Sequence, residues 1–182
     1  MTTKEEIINK LIDNLEGGYN NDPDDSGKET NYGITLDEAR NCGYHDNMKD
    51  MPREVACDIY VVKYWDHLSL NRIIMMSMPI AEKLLDIAVH CGPPLSAQFF
   101  QRTLNNLNNR GAIYPDIKVD GLLGNRTINA FMALIDFRGC DGKDVALSML
   151  NCLHGGFLFS LAEKREKDEK WIYGWFKNRI KM

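Results

Sequence analysis

Apolar residues recur three and four positions apart through most of this chain, so helices are the expected element. Ile7, Ile8, Leu11, Ile12 and Leu15 mark one face of a first amphipathic helix. Thr3 and Glu6 have capping-box spacing at its start, and Gly17-Gly18 reads as its stop. Glu16 therefore falls in the last turn. The period lapses from Tyr19 to Thr35, where Pro23, Gly27 and Gly33 sit among polar residues. That stretch predicts a loop with a short β-hairpin around Thr30 to Ile34. Thr35 and Glu38 repeat the capping-box spacing for a helix ending near Cys42-Gly43. Asp50 to Lys63 predicts a third helix with Val55, Ile59 and Val62 inward. Pro79 can open a fourth, with Ile80, Leu84, Ile87, Ala88 and Cys91 inward.

Gly92-Pro93-Pro94 interrupts the pattern and marks a lobe boundary, giving segments 1–92 and 93–182, expected to pack as one compact unit. Leu95 to Leu107 predicts helix, with Phe99, Phe100 and Leu104 on its apolar side. Asn105 to Asp120 is a polar connection, and Gly121 to Gly124 turns the chain into a helix from about Asn125 to Phe137. Asp141 to about Lys170 predicts one long helix weakened at Gly155-Gly156. The tail from Lys164 to Lys181 carries Trp171, Tyr173, Trp175 and Phe176 among mixed charges. Glu163, Glu166, Asp168 and Glu169 weaken a membrane-surface role, so the tail reads as a solvated helix closing onto the core by its aromatics.

Composition narrows the class. The 182 residues are 44% hydrophobic, enough for a core, and the net charge of −4 speaks against an overall basic surface for nucleic acid. The five cysteines, Cys42, Cys57, Cys91, Cys140 and Cys152, form no CxxC pair and no ligand-like spacing with histidine. They read as reduced, buried thiols, with no zinc site, no metal and no cofactor expected. Met1 to Lys10 is polar and charged, unlike a signal peptide, and no apolar run approaches a membrane span. The expectation is synthesis in the cytoplasm with no stable membrane insertion.

The densest chemistry lies at Glu16-Gly17-Gly18-Tyr19, which leads through Asp22, Asp24 and Asp25 to Thr30-Asn31-Tyr32-Gly33-Ile34-Thr35. Glycoside hydrolysis needs a proton donor for the leaving oxygen and usually a second carboxylate. Glu16 suits the donor: the carbonyl end of a helix opposes ionisation, and apolar neighbours add desolvation. Asp25, on a solvated loop, is the candidate second carboxylate, with Asp22 and Asp24 as alternatives. Thr30 can hold the attacking water. A helix-ending glutamate before a solvated acidic turn has the same spacing. Asp22, Asp24, Ser26 and Gly27 also match the opening of a calcium loop, but Gly33 stands where the closing glutamate belongs. Tyr60, Tyr64 and Trp65 suit either sugar stacking or core packing. His90 and Cys91 are adjacent on a helix, point in different directions and read as structural.

Glu16-Gly17-Gly18-Tyr19, Asn21-Asp22-Pro23, Asp25, Gly27 and Thr30 to Thr35 closely resemble glycoside hydrolase family 108, lysozyme-like N-acetylmuramidases common in phage and prophage lysis modules. The sequence departs from the family pattern at Lys28, where a second glycine is usual. The resemblance implies a mainly α, lysozyme-like helical fold with a small loop or β-hairpin at the active site and a helical C-terminal lobe. It implies Glu16 as catalytic acid and, less directly, Asp25 and Thr30 in the arrangement of phage-type lysozymes. Tyr19, Tyr32, Tyr64 and Trp65 are the implied sugar contacts. Asp86, Ala88, Val89, Gly92, Ala97, Gln101, Val119-Asp120-Gly121, Gly124, Thr127, Gly174-Trp175 and Arg179 are similar to the predicted peptidoglycan domain that follows in that family.

The implied activity is hydrolysis of the β-1,4 bond from N-acetylmuramic acid to N-acetylglucosamine in bacterial peptidoglycan. A monomer, with no nucleic-acid partner, would reach the cell wall or periplasm through a holin or a secretion system. Lytic transglycosylation and non-catalytic wall binding or scaffolding are the alternatives.

Overall fold

Thr3 opens the first helix as its spacing predicts. Its hydroxyl accepts from the Glu6 amide at 3.2 Å, and the Glu6 carboxylate accepts from the Thr3 amide at 2.8 Å. This computed structural model describes residues 3–14, 18–22 and 29–180. The protein is mainly α. It divides into two compact units, Met1–Asp66 and His67–Met182.

The first unit holds α1 (Lys4–Asn14), a hairpin of β1 (Thr30–Asn31) and β2 (Ile34–Thr35), α2 (Leu36–Asn41), a 3₁₀ turn (Met48–Asp50) and α3 (Arg53–Tyr60). Helix α3 runs into a π-helical stretch, Val61–Asp66. Ile7, Ile8 and Ile12 of α1 are buried, as their period requires. Arg53 of α3 fixes α1 by donating to Asn9 Oδ1 at 3.1 Å and Asp13 Oδ1 at 2.8 Å. The π-helical stretch breaks the phase carried from Val55 and Ile59. Its wider turn brings Tyr64 and Trp65 inward and leaves Val62, expected inward, 68% exposed.

The second unit holds α4 (Leu70–Ile74), α5 (Met78–Cys91), α6 (Pro93–Leu107), α7 (Asn125–Lys164), a 3₁₀ turn (Glu166–Asp168) and α8 (Glu169–Arg179). The short α4 has no counterpart in the periodicity reading. Ser77 caps α5 and Pro79 lies in its first turn. Helices α5, α6 and α7 pack on one another, burying Ile80, Leu84, Ile87, Phe99, Phe100, Leu104, Phe131 and Leu134. By length and composition α7 is apolar enough to cross a bilayer, contrary to the expectation from the sequence. Its apolar residues supply much of this core, and it also packs against α8.

The long helix kinks at Gly139, with φ 61 and ψ −140, in the gap expected between Phe137 and Asp141, but it runs unbroken through Gly155-Gly156, where weakening was expected. A Cβ on Gly155 would lie 3.6 Å from the Phe176 ring, ordinary contact distance, so α8 packs closely over this point of α7. The chain also turns again after Lys164, so the tail is a separate helix. All five cysteines are free, but none is buried: Cys42, Cys140 and Cys152 are exposed, Cys57 and Cys91 half-buried.

Candidate functional site

The hairpin is built by its two-residue turn. Thr30 pairs with Thr35 and Asn31 with Ile34, leaving Tyr32-Gly33 as the loop. Both have positive φ, 52 and 72, the mirror-type turn whose twist suits a hairpin. Alternation then sorts the side chains: Asn31 and Ile34 are buried, while Thr30 and Thr35 lie half-buried on the other face. Thr30 also exchanges both backbone hydrogen bonds with Asn20, at 2.8 Å each, which adds the Tyr19–Asn20 segment beside β1.

Side chains distant in sequence hold this hairpin down. Asn31 Nδ2 donates to Met48 O at 2.7 Å. The Tyr60 hydroxyl donates to Tyr32 O at 2.8 Å, tethering the one non-glycine residue of the turn that has left-handed backbone. Thr35 and Glu38 form the expected capping box. The Glu38 carboxylate also accepts from the Tyr64 hydroxyl at 3.2 Å and pairs with Lys63 Nζ. Burial, and then the Glu38 charge, push the Tyr64 phenol well above its ordinary pKa. The sequence treats Glu38 only as a cap and Tyr60 only as part of an aromatic group. Their tethering roles depend on partners 25 to 28 residues away.

Of the residues singled out by sequence, Glu16 and Asp25 lie outside the described residues, as do Gly17 and Asp24. Thr30, Tyr32 and Tyr19 are gathered at the hairpin. Tyr19 is 38% exposed, and its hydroxyl hydrogen-bonds the Glu29 carboxylate, which raises its pKa. Tyr64 and Trp65, named as sugar contacts, are 1% and 0% exposed. A ring without an accessible face cannot stack on a sugar, so in this structure both are core residues. Tyr60 and Tyr64 pack with ring centroids 5.4 Å apart.

Residues 9–92 match the glycosyl hydrolase 108 family model, and residues 96–180 match the predicted peptidoglycan domain. The chain carries a glycosyl hydrolase 108 domain. A solved structure of Brucella abortus SagA has the same fold, with a TM-score of 0.71 and 22% identity, covering 96% of this chain and 90% of that one. No curated protein matches the chain. The two family matches together make it a glycoside hydrolase acting on peptidoglycan. They meet near Gly92, whereas the compact units divide the sequence between Asp66 and His67.

In the predicted peptidoglycan domain, Gln101 organises the Val119-Asp120-Gly121 turn. Its Nε2 donates to Asp120 Oδ1 at 2.8 Å and Leu122 O at 2.9 Å, and its Oε1 accepts from the Gly121 amide at 3.0 Å. The Gln101 bond, joined by that from the Leu122 amide, holds the Asp120 carboxyl below its usual pKa. Gly121 has φ 79, and a Cβ there would meet Pro94 O at 3.1 Å, so both conformation and space call for glycine. The second unit also brings His90 and Cys91 together with His154. That cluster was invisible to a reading of adjacent residues.

Proposed function

We propose that this glycoside hydrolase is a lysozyme-type N-acetylmuramidase, cutting the β-1,4 bond from N-acetylmuramic acid to N-acetylglucosamine. The observation that carries the reading is the tethered Thr30–Thr35 hairpin inside a glycosyl hydrolase 108 match that also spans Glu16 and Asp25. Glu16 gives its proton to the glycosidic oxygen as the bond to the anomeric carbon breaks. Asp25 stabilises the oxocarbenium-like sugar or activates water, and Thr30 positions that water. Tyr19 and Tyr32 offer ring faces to the glycan. Asn31, Tyr60 and Glu38 act from beneath by fixing the strand that carries Thr30.

The protein is made in the cytoplasm, in the manner of a phage or prophage endolysin, and acts as a monomer on the wall after release by a holin or a secretion system. Turbidity clearing of purified sacculi by wild type and Glu16→Gln tests the acid: the variant should lose activity by at least a hundredfold, and equal clearing would remove Glu16 from the mechanism. Mass spectrometry of the digest tests the bond. Reducing muramic ends are expected. Anhydro-muramic ends alone would make the protein a lytic transglycosylase, and reducing N-acetylglucosamine ends would make it a glucosaminidase.

A further inference from the structure

Three donor side chains converge in the second unit. His90 and Cys91 close α5, and His154 comes from α7. One ligand atom from each lies within 4.8 Å of the other two. Cys91 Sγ stands 3.8 Å from His154 Nε2. On the far side of that ring, Nδ1 meets Lys83 Nζ at 3.0 Å, so Nε2 is the nitrogen turned to the thiol. His154 is fully buried, and His90 Nδ1 is buried with no hydrogen-bond partner among the described residues. Trp175 walls the cluster, its ring centroid 4.8 Å from that of His90. An orphaned buried nitrogen costs about 1–3 kcal/mol, and native proteins rarely keep one without a use.

We propose that His90, Cys91 and His154 form a three-coordinate site for a thiophilic monovalent cation, copper(I). One thiolate and two imidazoles are a soft donor set of the kind that selects this ion. Bonds of about 2.0–2.3 Å in a trigonal plane put donor atoms roughly 3.5–3.8 Å apart. The Cys91–His154 contact already has that length, and side-chain rotation of His90 and Cys91 closes the rest.

Charge and donor number decide against a divalent ion. Lys83 and Arg179 face the cluster, balanced by the single carboxylate of Asp86, which lies 3.3 Å from Lys83 Nζ and 3.8 Å from His154 Nδ1. Copper(I) with the Cys91 thiolate is neutral, whereas zinc(II) would add a net positive charge that the Asp86 carboxylate, already paired with Arg179, does not offset. Structural zinc also takes four protein donors, and the described residues supply three here. Coordination releases two protons to solvent, one from the Cys91 thiol and one from His154 Nε2, while Lys83 passes a proton to His154 Nδ1 and becomes neutral.

The full-length reduced protein, under anaerobic conditions, is titrated against the coloured copper(I) complex of bathocuproine disulfonate. Wild type should withdraw one copper per chain, and Cys91→Ser and His90→Phe should bind it at least tenfold more weakly. A variant with Cys42, Cys57, Cys140 and Cys152 all changed to serine should keep the site. If Cys91→Ser fails to fold, His90→Phe makes the same comparison at a half-buried position. Undiminished withdrawal by the folded Cys91 or His90 variant, or none by wild type, overturns the proposal. The readout is independent of cell-wall lysis.

Discussion

Replacing Tyr60 by phenylalanine removes one oxygen and should weaken catalysis from a distance. That oxygen donates to Tyr32 O at 2.8 Å from a side chain that is fully buried. A hydrogen bond of this kind contributes about 0.5–1.5 kcal/mol net. Tyr32 also sits at φ 52, a conformation that costs an L-residue roughly 1–2 kcal/mol and is held by its surroundings. The hairpin has only two paired residues per strand and cannot hold itself. Losing about 1.4 kcal/mol of tether lowers the population of the ordered hairpin relative to its loosened form by about tenfold. Tyr60→Phe should therefore lose about 1–1.5 kcal/mol in urea unfolding and several-fold to tenfold in kcat on soluble glycan fragments. Faster amide exchange at Thr30, whose N–H donates to Asn20 O, should accompany the loss. Tyr64→Phe is the control: it gives up a hydroxyl bond to Glu38 in the same core and leaves Tyr32 tethered. A Tyr60→Phe enzyme that loses stability but keeps wild-type kcat would refute the tether argument. Equal kcat losses in both variants would do the same.

Acid should destabilise the second unit. Burial lowers the pKa of His90 and His154 to about 3 in the folded protein, while the unfolded chain titrates near 6.5. Their neutral forms contribute stability that is present above pH 6.5 and is lost as pH falls from there toward 3. The slope is about 1.4 kcal/mol per pH unit for each imidazole, and His90→Phe should reduce it, as read from denaturation midpoints at pH 7.5 and 5. At Gly155 an added Cβ meets the Phe176 ring at ordinary contact distance, so Gly155→Ala should fold at least as well as wild type. Gly155→Val, whose extra methyls reach into the ring, should lose about 1–3 kcal/mol, with the change in Trp fluorescence reporting α8. Gln101→Leu leaves the Gly121 amide without its partner, while the Leu122 carbonyl keeps the Gly124 amide, and should cost about 1–3 kcal/mol in thermal or urea unfolding. An unshifted midpoint would mean the turn is held by other contacts.

Features that depend on spacing alone were legible in the sequence. Both capping boxes form because a threonine and a glutamate three apart need no tertiary partner. The Tyr32-Gly33 turn and the apolar stripes of α1, α5 and α6 follow for the same reason. Val62 was misplaced because one π-helical stretch shifts the phase, and periodicity carries no signal for it. The cysteines were expected inside because their neighbours are apolar, yet Cys42, Cys140 and Cys152 fall on outward faces. The supports of the candidate site were the least legible. Asn31 finds Met48, Tyr60 finds Tyr32 and Cys91 finds His154 across 17, 28 and 63 residues. Only folding brings those groups together.

The kink at Gly139 gives α7 a property that rests on handedness. Reflected through the origin, its φ 61 and ψ −140 become the everyday polyproline conformation of an L-residue. Among the genetically encoded residues only glycine passes through that mirror freely. An added Cβ would touch nothing within 4 Å, so the barrier to substitution is handedness and not crowding. A D-alanine placed there by chemical ligation should be accepted, whereas L-alanine should not. The forty-residue helix is thus two rods spliced at an achiral joint. Hydrogen exchange should open the rod before Gly139 and the rod after it as separate events.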